Sequence, residues 1–128
     1  MKVMEQHICL ISIGSNTNRS INIKLAQEQL LSHFPNIHFG TEQDTIPVDM
    51  QNETHFTNQI AKFSTSLSIE DVKSVFKRIE FQAGRLPDDK KKEIVKLDID
   101  LLIYDSRVLK KSDLERDFVI DGLKEFGL

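Results

Sequence analysis

The chain reads as an α+β protein of ferredoxin-like type, a βαββαβ antiparallel sheet with its two main helices packed on one face, and three features predict this. The period of the apolar residues switches along the chain in the order strand, helix, strand, strand, helix, strand, which is a split βαβ arrangement. The segment from Leu97 to Tyr104 alternates strictly, as a half-buried strand must. The length, 128 residues, is enough for one hydrophobic core and too little for two, so residues 1–128 are expected to form a single domain. No internal repeat, low-complexity tract or linker divides it.

Each element has its own signal. Ile8 to Ile13 is a short apolar run that ends at Gly14-Ser15-Asn16, a buried strand entering a turn. Ser20 to Phe34 carries Ile23, Ala26, Leu30 and Phe34 near helical spacing, with Pro35 just beyond. A weaker strand is expected around Ile37 to Phe39, resuming near Thr45, followed by a polar loop from Asp49 to Thr54. His55 to Ser64 alternates, placing Phe56, Asn58 and Ile60 on one face and Thr57, Gln59, Ala61 and Phe63 on the other. Ser68-Ile69-Glu70-Asp71 has capping-box spacing, and Leu67 can staple to Val72, so a helix starts at Ser68. Its stripe is Ile69, Val72, Val75, Phe76 and Ile79, and Gly84 is its stop. Pro87 to Glu93 is a charged loop that reads as solvated chain. In Leu97 to Tyr104, alternation sets Leu97, Ile99, Leu101 and Ile103 on one face and Asp98, Asp100, Leu102 and Tyr104 on the other. The segment from Asp113 onward is expected to be helical.

Composition narrows the function classes. With 39% hydrophobic and 29% charged residues, this is an ordinary folded chain. A net charge of -3 supplies no basic surface for nucleic acid or anionic lipid, so neither is expected as a partner, and a metal-bridged phosphate ligand stays open. The single Cys9 lies in the apolar run Ile8-Cys9-Leu10-Ile11, where it reads as a small buried hydrophobe. Without a signal h-region or a membrane-length apolar stretch, a cytoplasmic location is expected.

The best chemical signal is Asp98 with Asp100. Two carboxylates on alternate strand positions emerge from one face at a spacing that suits one or two Mg²⁺ ions, a hard cation that takes carboxylate and phosphate oxygens. The competing reading is a solvated D-x-D on an exposed strand face. Phe56 and Asn58, two residues apart and so on one face, pair a ring for stacking with an amide for edge recognition, the needs of a flat heterocycle. Each also has a structural reading: Phe56 as core, Asn58 as the partner of an inner strand. The fold order by itself implies no activity.

The chain resembles the hydroxymethyl-dihydropterin pyrophosphokinase family. The resemblance rests on Ile13-Gly14-Ser15-Asn16, Phe56-Thr57-Asn58-Gln59, Arg78-Ile79-Glu80 with Gly84-Arg85, and Leu97-Asp98-Ile99-Asp100, which stand in the family's order and span Ile11 to about Val108. It implies the ferredoxin-like fold and a reaction in which the pterin hydroxymethyl oxygen attacks the β-phosphorus of ATP, AMP leaves, and two Mg²⁺ ions bridge the phosphates. By the same resemblance, Asp98 and Asp100 are the metal-binding and catalytic acids, and Asn58 meets the pterin edge. Phe56 stacks on the ring, and Thr45 to Val48 contacts it through backbone. Glu80, Arg85 and Lys91 lie near the nucleotide, with Arg85 also catalytic through its permanent charge. Arg116-Asp117-Phe118-Val119 resembles the family's late Arg-x-Phe block, making Arg116 a nucleotide contact and Phe118 the second aromatic face, against a competing reading of Phe118 as core. No obligate protein partner is implied.

This is a short, divergent member by the same comparison. Lysines stand in the charged loop where the family has an arginine and a tryptophan, and Val95 replaces an arginine three residues before Asp98. A Pro-His segment is missing before Arg116, and no histidine follows His55. Three readings follow: an active pyrophosphokinase, a catalytically weak pterin-binding relative, or a ferredoxin-like interaction domain that leaves the ordered blocks as coincidence.

Overall fold

In the computed structural model, which describes residues 5–46 and 54–128, the long apolar strand β1 (His7–Ser15) is the middle of the sheet. Cys9, Ile11 and Ile13 on one of its faces and Leu10 on the other are buried. It pairs antiparallel with β4 (Phe56–Thr65) on one side and with β5 (Asp98–Tyr104) on the other. Two short strands, β2 (His38–Phe39) and β3 (Gln43–Thr45), share the outer edge of β4. A sixth strand, β6 (Arg107–Val108), folds back on β5. The antiparallel order β2-β4-β1-β5-β6, with β3 beside β4, is the expected α+β architecture extended by one hairpin strand.

α1 (Arg19–His33) and α2 (Ile69–Gln82) cover one face. Ile23, Ala26 and Leu30 of α1 and Val72, Val75, Phe76 and Ile79 of α2 meet Cys9, Ile11, Ile13, Ala61, Phe63, Leu97, Ile99 and Leu101 in the main core. Phe34 and Phe63 stack there at 4.0 Å between ring centroids, and Phe76 meets both edge-on. The start of α2 follows its sequence signal: Ser68 accepts a hydrogen bond from the Asp71 N–H at 3.2 Å, and Leu67 packs against the core. Gly84, at φ 88, ends the turn after α2 in the left-handed region. Cys9 is fully buried, and burial pushes its thiol up to about 12, as an inert core cysteine requires.

The opposite face is half covered. A 3₁₀ turn (Asp113–Glu115) leads into α3 (Asp117–Lys124), which packs on Ile60 and Leu102 through Val119 to form a second, smaller core. Among the described residues, no helix is long and apolar enough to cross a membrane.

Two expectations are corrected. Alternation in β5 breaks after Leu101. Ile11 stands opposite Leu101 while Leu10 stands opposite Ile103, so Leu102 is an extra residue, a β-bulge. Ile103 therefore packs against the second core, and Tyr104 turns into the main one, where its hydroxyl donates to the Leu67 carbonyl at 2.8 Å. The charged loop is not simply solvated chain. Asp89 is 6% exposed, its carboxylate accepts from the Leu86 N–H at 2.9 Å, and its carbonyl accepts from the Ile94 N–H at 2.8 Å, which folds the segment into a turn. β6 follows a two-residue turn in which Asp105 takes φ 56 and its carboxylate receives the Ile8 N–H. The predicted loop at Asp49 to Thr54 lies almost wholly outside the described residues.

Gly122 lets α3 sit down. A Cβ there would lie 2.2 Å from Ile60 Cγ1, closer than packing permits. Alanine gains about 1 kcal/mol of helix propensity, but overpacking of this kind costs about 1–3 kcal/mol. Gly122→Ala is therefore expected to be destabilising by up to about 2 kcal/mol, read as a lowered urea midpoint with unchanged slope.

Candidate active site

The site is built from three adjacent strands. Pairing places Gly14 of β1 opposite Asn58 of β4 and opposite Asp98 of β5, and in the next row it places Ser12 opposite Ile60 and Asp100. Positions two apart share a face, so Phe56, Asn58, Ser12, Gly14, Asp98 and Asp100 all open toward the side away from α1 and α2. The missing side chain at Gly14 is required: a Cβ there would stand 2.8 Å from Asn58 Oδ1. Above this floor rise Thr45 and Ile46 from the β3 end, Val95 from the charged turn, and the stretch from Asp113 to Val119 on the far side. Together they enclose a cleft of about 670 Å³, within the range of small-ligand sites.

Asn58 is 7% exposed, and its Nδ2 donates to Thr45 Oγ1, which holds the amide in the floor. Phe56 is half-buried, lines the cleft and belongs to neither core. Phe118 is among the residues that line the cleft and packs against the second core, with the Arg116 guanidinium 5.5 Å from its centroid.

The acids set the electrostatics. Burial pushes the Asp100 carboxyl up to about 6, and the neighbouring Asp98 charge adds to it. Asp98 is raised as well, first by burial and then by the charge of Glu80, with Arg85 opposing. Glu80 lies in the apolar stripe of α2 at 5% exposure, yet both of its oxygens are used. One accepts the Ile99 N–H of β5 at 2.8 Å, and the other accepts Arg85 Nη1 at 2.9 Å. Arg85 thus pairs with a buried acid rather than a surface one. Two repelling carboxylates with hard oxygen donors and raised proton affinity fit a divalent cation, which would relieve the repulsion that the protons relieve otherwise.

Of the residues predicted from sequence, Thr45, Phe56, Asn58, Asp98, Asp100, Arg116 and Phe118 line one cleft. Glu80 and Arg85 stand behind β5 and are outside that lining, and Lys91 is exposed on the charged turn, also outside it. Val48 lies outside the described residues. Sequence reasoning missed Ser12, Asp113, Glu115 and Asp117. The parity of Ser12 with Gly14 could have found the first, whereas the acids depend on where α3 docks. Asn16 serves the site from behind: its side chain donates to the Glu93 carbonyl and accepts the Val95 N–H, tying the charged turn to the end of β1.

Fold and cleft together define a ferredoxin-like protein with a cleft that joins an aromatic-amide floor to an acid pair. Comparison with family models makes this specific, since residues 10–127 match the family described as 7,8-dihydro-6-hydroxymethylpterin-pyrophosphokinase (HPPK), and the chain belongs to that family. It is similar to the 2-amino-4-hydroxy-6-hydroxymethyldihydropteridine pyrophosphokinase of Haemophilus influenzae, 29% identical over 128 residues that span 91% of this chain and 79% of the relative. Among solved structures, it is similar to the de novo designed protein Foldit4 (TM-score 0.39, 11% identity, 77% of this chain and 98% of that one). It is also similar to the de novo designed protein LFR1 1 with ferredoxin fold (TM-score 0.33, 18% identity, 84% and 90%). Family membership makes the chain an ATP-dependent pyrophosphokinase of folate biosynthesis, which transfers pyrophosphate from ATP to hydroxymethyl-dihydropterin.

The raised acids predict a pH dependence. Between about pH 4 and 6 the folded protein keeps a proton on Asp100 that the unfolded chain has lost, so in metal-free buffer stability falls as pH rises through that window. Asp44, Asp89 and Asp105 are shifted down, so their contribution is lost only as pH falls below the ordinary carboxylate value. The thermal midpoint of Asp100→Asn, measured with chelator present, should decline less over that interval than the wild-type midpoint.

Proposed function

We propose that the pterin ring lies in the cleft against Phe56 and Phe118, with its edge on Asn58, and that Asp98 and Asp100 hold two Mg²⁺ ions beside it. The observation that carries this reading is the row Asn58, Gly14, Asp98 across three strands. It brings an edge-reading amide and a metal-ready acid pair to one floor, with only the bare glycine between them. Bound magnesium would supply charge neutralisation for the polyphosphate and polarise the phosphorus under attack.

The protein's own part is to bind, orient and exclude water. Phe56 and Phe118 offer apolar faces to a flat ring, and Thr45 keeps the Asn58 amide turned for its edge. Arg85, exposed on one side and anchored by Glu80 on the other, is suited to meet developing phosphate charge, with Glu80 acting through it as a positioning residue. Arg116 offers a second cation at the cleft mouth. AMP formation from ATP should require both the pterin alcohol and Mg²⁺ and should vanish in Asp98→Ala. A wild-type chain that forms no AMP from the complete mixture would exclude catalysis.

One feature favours a second reading, in which pterin binds well and nucleotide poorly. The cleft carries Asp98, Asp100, Asp113, Glu115 and Asp117 against Arg116, and Val95 lines it where a guanidinium would clamp phosphate. Calorimetry separates the two readings. The active enzyme is expected to bind a non-hydrolysable ATP analogue once Mg²⁺ is added, whereas heat from pterin alone, with none from nucleotide plus Mg²⁺, identifies the weak relative.

A further inference from the structure

α3 is a wall of the cleft, and the second core that holds it is small. It is a short helix whose buried residues are Val119 and Gly122, and short helices depend on tertiary contacts for their stability. Two polar grips supply the rest, both from the same edge of the sheet. Gln43 Nε2 donates to the Phe118 carbonyl at 2.8 Å, and the Thr41 N–H and hydroxyl reach the Glu125 carboxylate at 3.1–3.2 Å. The segment from Thr41 to Thr45 therefore holds α3 near both ends. Gln43 stands opposite Asn58 in the β3–β4 register, and Thr45, two residues on, takes the Asn58 amide. One three-residue strand thus fixes both the floor amide and the aromatic wall. Gln43 itself is half-buried and is not among the residues that line the cleft.

We infer that Gln43 is a positioning residue for the pterin end of the cleft: its amide sets where the Phe118 ring stands over Phe56 and Asn58. This rests on the proposed contact of Phe118 with the pterin. The physical reason is the direction of the bond. It runs from the strand that carries the floor to the backbone of the residue that carries the wall, so the width of the slot is set by one donor with little freedom. Arg85 is held by Glu80 of α2 and lies outside the cleft lining, so nucleotide contacts made there do not depend on the same bond.

Gln43→Met keeps the length of the side chain and removes the donor, while Gln43→Lys keeps a donor of similar reach. On the full chain with Mg²⁺, Gln43→Met is expected to raise both the KM and the Kd for the pterin alcohol about 3- to 10-fold, the loss of one hydrogen bond. The KM for ATP should stay within about twofold, amide hydrogen exchange in residues 117–124 should quicken, and Gln43→Lys should recover most of the pterin affinity. Pterin affinity unchanged in Gln43→Met, or both KM values rising together without recovery in Gln43→Lys, overturns the inference while the pterin reading stands. A wild-type chain that binds no pterin removes the reading and the inference with it.

Discussion

The antiparallel register of β1 against its two neighbours is the constraint on which the rest of this protein depends. It aligns Asn58, Gly14 and Asp98 across three strands and sets Ser12 and Asp100 in the following row. Because side chains alternate, a slip of one residue would send this set into the main core and bring Ile11 and Ile13 to the open face. The buried apolar residues of β1 oppose that slip, so core packing on one face enforces the geometry of the chemistry on the other.

Charge is arranged around that register. Asp98 and Asp100 repel each other on a partly desolvated face, and Glu80 adds its charge from within the helical layer. Burying Glu80 would be costly without partners. The Ile99 N–H and Arg85 provide them, which fixes α2 to β5 and places a cation at the edge of the acid pair. One carboxylate does both: one oxygen docks the helix on β5 and the other orients the guanidinium.

Much of this was legible in local sequence because its causes are local. Alternation sorted Phe56, Asn58 and Ile60 from Ala61 and Phe63, the Ser68 cap started α2, and the parity of Asp98 with Asp100 joined the acids. What escaped depended on distant partners. The bulge at Leu102 is invisible to a period-two pattern, since an extra residue declares itself only against the strand it faces. Glu80 was expected near the nucleotide by resemblance, and its burial follows from a backbone N–H nineteen positions away in another element. Asp89, read as solvated, is buried because its own turn and Lys96 close over it.

By itself the sequence determined the order and type of the main elements, the face of the strand side chains up to the bulge in β5, and the pairing of acids with an aromatic-amide floor, because these follow from backbone period and local hydrogen bonding. Only the tertiary structure decided that α3 closes the cleft, that Asp113, Glu115 and Asp117 ring it, and that Gln43 and Thr41 hold the wall in place. Those outcomes depend on the fit of Gly122 against Ile60 and on contacts between residues about eighty positions apart, which no local pattern encodes.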